Sequence, residues 1–287
     1  MAAELSVVIP AHNAEATIGA QLSALAGQQW DGEWEIVVIE NGSSDRTADE
    51  VQANRSVLGN RLRLVQSDRA GASFARNLGV AETGADHIAF VDADDVVAAG
   101  WLPAMGDCLR SHEFVTGPLE LDRLNPEWVA RSRGRAMESQ RPTFYGIFPY
   151  AHGCNFGVHR GHWEQMGGLD ERMTATEDIE FSLRMWLAGI PAFFEPAAIV
   201  HYRYRTDPGS LWRQGLQYGR WRPLVARRLV DVGREPPSRV AGWKSWAHLF
   251  RQLPQAGSAE GRALLAWSAG NRIGHLIGSV EHRIVLL

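Results

Sequence analysis

Three carboxylates in four residues, Asp92-Ala93-Asp94-Asp95, follow the apolar run His87–Val91 without a break. Such a cluster repels itself unless something positive is bound in it. Hard oxygen donors at that density suit Mg²⁺ or Mn²⁺, ions that usually bring substrate phosphates with them. The same four residues would also serve as a capped loop ahead of a helix near Gly100, and a D-x-D triplet alone does not separate the two readings. A second acidic pair, Glu177-Asp178, follows Thr176 and opens a stretch of helical pattern. Acidic side chains in a first turn complement the helix dipole whatever else they do. A carboxylate facing a crevice can also take the proton of a hydroxyl nucleophile.

The elements that must carry these groups are legible in the first hundred residues. Leu5–Pro10, Trp34–Ile39, Arg61–Val65 and His87–Val91 read as strands. Between them, Asn13 can cap a helix in which Ile18, Leu22 and Leu25 recur at helical spacing. Ser44 or Asp45 can cap a second helix after the turn Asn41-Gly42-Ser43-Ser44, and a third covers residues 72–82. Strands alternating with helices imply βαβ units and a parallel sheet, the α/β class. Ligands of such sheets lie beyond the carboxyl ends of the strands, where Pro10–Asn13, Glu40–Asp45 and Asp92–Asp95 all fall. The proline-bearing stretch 117–152 predicts long loops on one side of that crevice. Asn155–Val158 reads as a strand and Glu177–Ala188 as a helix ending at Gly189. After Asp207-Pro208-Gly209 the pattern is helical to the end, with breaks near 233–238 and 255–258. The expected division is an α/β domain over 1–207, which holds these acidic clusters, and a helical extension over 208–287.

Five blocks occur in a recognisable order: Ser6–Asn13, Ile39–Thr47, Gly71–Asn77, Phe90–Asp95 and Thr176–Asp178. Together they resemble the family 2 glycosyltransferases over about residues 4–205. The resemblance implies the GT-A fold, a Rossmann-like, mostly parallel sheet flanked by helices, here with a helical C-terminal segment. It implies an inverting transfer of a sugar from a nucleoside diphosphate donor to an acceptor hydroxyl. By resemblance, Pro10, Ala11 and Asn13 form the nucleotide loop, Glu40 and Asn41 lie at the nucleobase, and Arg76 contacts the nucleotide. Glu40 stands where the family usually has Asp, which leaves the base open: UDP first, then GDP or dTDP. Asp92 and Ala93 would meet the ribose, and Asp94 would hold Mn²⁺ or Mg²⁺ at the diphosphate, with His201 beside the metal and Arg203 and Arg205 near phosphate. Asp178 resembles the general base, with Glu177 shaping the acceptor pocket that Gly153 and Asn155 border. Gln217-Tyr218-Gly219-Arg220-Trp221 matches the QxxRW motif of processive synthases, but without their membrane helices a single transfer per encounter is expected.

Composition narrows the alternatives. The chain has 287 residues, 45% hydrophobic and 22% charged, enough apolar surface to bury a core. No apolar run approaches a membrane span, the start has no secretory pattern, and two cysteines make no disulfide framework, so a cytoplasmic protein is expected. Residues 1–200 hold 15 Arg, no Lys and 28 Asp and Glu, a balance of −13, whereas residues 201–287 hold 14 Lys and Arg against 5 acids, a balance of +9. Trp212, Trp221, Trp243, Trp246 and Trp267 also fall in that basic segment. It reads either as a packed cap with solvated arginines or as a peripheral contact with anionic lipid at the inner face of a membrane. Nucleic acid is not an expected partner, because the cations form no dense run and the body is acidic. The expected acceptor is a glycan, a lipid-linked sugar or a small molecule. A dehydrogenase would need a glycine-rich turn after the first strand, which Pro10-Ala11-His12-Asn13 is not. A non-catalytic nucleotide-sugar-binding module and a sugar-phosphate nucleotidyltransferase stay as the alternatives.

Overall fold

The computed structural model describes residues 3–132, 135–235, 246–247 and 249–284. Its strands are β1 (Leu5–Ala11), β2 (Trp34–Asn41), β3 (Leu62–Ser67), β4 (His87–Val91), β5 (Val96–Val97), β6 (Phe114–Thr116), β7 (Leu119–Glu120), β8 (Thr143–Phe144), β9 (Phe148–Pro149), β10 (Asn155–His159), β11 (Phe193–Phe194) and β12 (Val200–His201). Its helices are α1 (Ile18–Ala26), α2 (Thr47–Ala53), α3 (Arg55–Leu58), α4 (Ala72–Ala81), α5 (Trp101–Leu109), α6 (Glu127–Ser132), α7 (Arg160–Met166), α8 (Glu177–Leu187), α9 (Pro208–Asp231) and α10 (Ala259–Glu281). The described chain forms two compact units. One runs to Pro126, continues from residue 135 to Arg172 and takes in Glu177–Arg203. The other holds α6, Met173–Thr176 and the residues from Tyr204 onward.

The first unit is built on a seven-stranded sheet of order β11-β6-β10-β4-β1-β2-β3. β4, β1, β2 and β3 are mutually parallel, so their carboxyl ends share one edge. β10 alone runs against its neighbours, with Asn155 opposite Val91. That reversal brings the start of β10, and Gly153 and Cys154 just before it, to the edge where β4 delivers the Asp92–Asp95 turn. The central strands are apolar on both faces because helices cover both: Val7, Val8, Ile9, Val37, Val38, Phe90 and Val91 are fully buried. On one face, Phe90 stacks on Phe156 and Trp163 at ring distances of 4.5 and 4.9 Å, with Phe181 of α8 beside them. The helix that carries the acidic pair is thereby anchored in the same aromatic core as the strand that carries the acidic turn.

Two local expectations need correction. Asn13 does not cap α1, whose N-cap is Thr17; Asn13 instead turns the chain at φ 50°. The stretch 117–152 is not only loop, for it contains β7, α6, β8 and β9. β7, β12 and β5 form a small second sheet, with β12 between the other two. In the second unit, α9 and α10 run side by side. Trp243 and the predicted break at residues 236–238 lie outside the described residues.

Candidate active site

The loops after β1 and β2 are laced together by side chains. Asn13 accepts from Ser44 N–H at 2.8 Å, while its own N–H donates to Ser43 Oγ at 3.0 Å. Ala14 N–H donates to Thr47 Oγ1 at 2.8 Å, and Asp45 accepts from Glu15 N–H at 3.1 Å. These bonds hold the predicted nucleotide loop, Pro10–Asn13, against the predicted base-contacting turn. Within that turn Glu40 is 7% exposed and accepts from Ser43 N–H at 2.6 Å, so one carboxylate oxygen braces its own turn. Asn41 is buried and donates to Gly71 C=O at 3.3 Å, tying β2 to the start of α4.

The acidic groups converge on Arg76. This α4 guanidinium is almost fully buried and reaches Asp92 Oδ1 at 2.6 Å and Glu177 Oε1 at 3.0 Å. A buried cation needs such partners to offset its desolvation, and these two lie 16 and 101 residues along the chain from Arg76. Asp178, next to Glu177, accepts from Gly153 N–H at 2.8 Å on Oδ2 and from Ile179 N–H at 2.8 Å on Oδ1. A Cβ at Gly153 would lie 3.2 Å from that Oδ2, so the absent side chain is what lets the amide come this close. Burial and the neighbouring Asp178 push the Glu177 carboxyl up to about 7, against the pull of Arg76. Burial also raises Asp178, although the Gly153 and Ile179 amides and Arg76 oppose it. Thr176, immediately before the pair, is a β-branched residue at φ 61°, a conformation that costs about 1–3 kcal/mol. A carboxylate raised by burial and aimed by two backbone amides can accept a proton near neutral pH.

The sequence profile described as "Glycosyl transferase family 2" matches residues 6–167, more than half of the chain. The chain belongs to that family. Among similar proteins, the Escherichia coli K12 protein named uncharacterized glycosyltransferase YibD is 26% identical over 83% of this chain and 73% of its own length. The Bacillus subtilis protein named probable glycosyltransferase YdaM is 26% identical over 79% of this chain and 57% of its own. Among solved structures, the mannosyltransferase PcManGT of Pyrobaculum calidifontis, in complex with GDP-Man and Mn²⁺, superposes with a TM-score of 0.65 at 16% identity, covering 98% of this chain and 88% of that one. Residues 1–349 of Staphylococcus aureus TarS, in complex with UDP, superpose with a TM-score of 0.58 at 17% identity, covering 98% and 92%. The fold is GT-A, and the family 2 protein is a glycosyltransferase.

Several expected site residues of this glycosyltransferase stand elsewhere than anticipated. Asn155 has no accessible surface: its Oδ1 accepts from Trp101 Nε1–H at 2.9 Å, and its Nδ2 donates to the carbonyls of Pro118 and Ala198 at 3.0 and 2.8 Å. Its side chain fastens four segments together, both of its amide hydrogens are used and none of it is accessible, so its assignment to acceptor binding is corrected. Gly153, the other residue expected at the acceptor, lies against Asp178. His201 lies on β12 opposite Val96, with Nδ1 2.6 Å from Glu120 Oε2. That contact, with the Asp122 and Arg123 amides, outweighs burial and keeps Glu120 below the usual carboxylate range. Arg203 donates from its N–H to Asp95 at 2.7 Å and from Nε to Asp94 C=O at 2.9 Å, gripping the acidic turn. In the QxxRW match, Gln217 and Trp221 both bond Thr174 Oγ1, and Arg220 pairs with Glu281 at 2.8 Å.

Gln21 was not singled out in the sequence, and Asp95 was read there only as part of the acidic cluster. Gln21 is fully buried on α1, donating to Asp92 C=O at 3.1 Å and accepting from Val97 N–H at 2.9 Å, so it clamps both ends of the acidic turn. A glutamine amid the apolar face of Ile18, Leu22 and Leu25 was the available signal. Asp95 is 1% exposed, and its Oδ2 has no hydrogen-bond partner. Burial, then Asp94 and Asp92, pushes its carboxyl well above the ordinary range.

The donor set fits a divalent cation. Ligand atoms of Asp92, Asp95 and Cys154 lie within 4.8 Å of one another, and the Asp95 oxygen lacks a partner. Asp94, the expected ligand, is exposed beside them on the same turn, while His201 belongs to no such group among the described residues.

Proposed function

We propose that this glycosyltransferase moves a sugar from a nucleoside diphosphate donor to an acceptor hydroxyl with inversion, in one non-processive, metal-dependent transfer. The observation that carries the reading is the Asp178 carboxylate, held by the Gly153 amide one residue from the glutamate that Arg76 joins to Asp92. Asp178 takes the acceptor proton as the hydroxyl oxygen attacks the anomeric carbon, and the bond to the nucleoside diphosphate breaks on the opposite face. One base on one face gives inversion. Arg76 keeps Glu177 and Asp92 in place and opposes the rise in pKa that burial imposes on both members of the acidic pair. Asp94 would hold a Mn²⁺ or Mg²⁺ ion, with the unpartnered Asp95 oxygen close by on the same turn, and when bound the ion would neutralise charge on the departing diphosphate. Solved structures with UDP, UDP-GlcNAc and GDP-Man bound support a nucleotide sugar as donor, UDP-linked first. The acceptor is a glycan, a lipid-linked sugar or a small molecule bearing a free hydroxyl. The test is Asp178→Asn. It should retain UDP and Mn²⁺ binding by thermal shift and lose transfer; unchanged turnover removes Asp178 from the mechanism.

A further inference from the structure

The second unit presents an exposed apolar surface of its own. On α10, Ile273, Leu276, Ile277 and Val280 are all exposed, Val280 to 80%. Their i, i+3, i+4, i+7 spacing gathers them in one stripe. A different face of α10 is already committed: Gly270, Gly274 and Gly278 lie so close to α9 that added Cβ atoms would strike the carbonyls of Trp212, Leu216 and Arg220 at 2.5, 2.2 and 2.1 Å. The glycines make the helix pair, and the large aliphatic side chains are left facing water.

Charge identifies what covers them. At about 100° per residue, Arg262 stands on the line of the stripe toward its N-terminal end, Arg272 along one edge, and Arg283 just past its C-terminal end. The segment from residue 201 carries 14 cations against 5 acids. A second copy of the stripe would set arginine against arginine at the ends in either orientation, which disfavours self-association. An anionic lipid surface satisfies both features at once. No described helix is long and apolar enough to cross a membrane, so the contact is in-plane. Phe250 and Leu253, 62% and 53% exposed on the approach to α10, add apolar surface of the same kind.

We infer that α10 is an interfacial helix that seats this glycosyltransferase on an anionic bilayer, its aliphatic stripe at the acyl boundary and Arg262 and Arg283 among the lipid phosphates. The inference does not depend on the catalytic assignment. The full chain is to be floated with phosphatidylcholine vesicles with and without phosphatidylglycerol, at low and high salt. Binding to the anionic vesicles is expected, weakened about tenfold by high salt or by omitting the anionic lipid. Leu276→Ser/Ile277→Ser should weaken it by about tenfold or more while leaving the UDP-induced thermal shift unchanged. Arg262→Gln/Arg283→Gln should weaken binding to anionic vesicles about tenfold and leave neutral vesicles unaffected. Failure of the parent chain to bind anionic vesicles at low salt overturns the inference, as does parental binding by the stripe variant. A parent that sediments as a dimer and becomes monomeric on Leu276→Ser/Ile277→Ser assigns the stripe to a second copy and overturns it too.

Discussion

Asp178 and Glu177 are adjacent, both withdrawn from solvent, and held differently. Glu177 is committed to Arg76, whereas Asp178 is held by two amides and keeps lone pairs to accept a proton. Asp178→Asn is therefore expected to lower kcat by about 10²–10⁴-fold, the usual worth of a positioned base, with donor binding intact. The transfer rate should rise with pH through a limb above the ordinary carboxylate range, because the base works only when ionised and burial raises its pKa. Glu177→Gln removes a like charge and should move that limb to lower pH; the pair titrates jointly, so the observed value belongs to both. Stability runs the opposite way. The folded state keeps the Glu177 proton to about 7, while an unfolded chain loses it near 4.5. The contribution is complete below 4.5 and is lost as pH climbs to about 7, so the melting temperature should fall across that window and fall less in Glu177→Gln. The acidic residues themselves were legible from type and order. The saturation of Asn155 was not, since its partners lie 37, 43 and 54 residues away and no local pattern encodes them.

Elements place these groups through close approaches that only glycine permits. Gly153→Ala would bring a methyl to 3.2 Å from Asp178 Oδ2, at a backbone conformation alanine can adopt. About a tenfold loss of kcat is expected with little change in melting temperature, read by parallel kinetics and calorimetry. Gly79 on α4 has a different role: a Cβ there would stand 2.3 Å from Val8 Cγ1, so Gly79→Ala must push α4 off β1. Overpacking of this kind costs about 1–3 kcal/mol, and because α4 carries Arg76 the donor affinity should fall with it. The four parallel strands were legible because each is a short apolar run between turn residues, and the observed ends differ from the expected ones by two residues at most. The two-residue strands of 117–152 were not, because two residues carry no periodicity. The α9–α10 pair was read as helical, but its cause, glycines at 215, 219, 270, 274 and 278 spaced by four, was overlooked.

At the scale of the molecule, the charge division visible in the sequence separates the segment that carries the acidic turn from the segment that carries α9 and α10. The acidic first 200 residues hold a cluster of carboxylates in which burial first, and then mutual repulsion, raises the pKa of Asp95 and Glu177. That repulsion is a store of instability which a bound cation relieves, so nucleotide and metal should stabilise the fold together more than either does alone. With UDP and Mn²⁺ at about a hundred times the dissociation constant, linkage gives about 2.7 kcal/mol. For a unit of this size that corresponds to a rise of about 5–10 °C in melting temperature. EDTA should remove most of the shift while UDP remains present. Asp94→Asn should behave as the parent does in EDTA, and Leu276→Ser/Ile277→Ser as the parent does in Mn²⁺, since the aliphatic stripe lies outside the donor site. A full shift by UDP in EDTA would mean that the diphosphate is held by arginine and backbone amides without a cation, and the acidic turn would then need another explanation for packing three carboxylates into four residues.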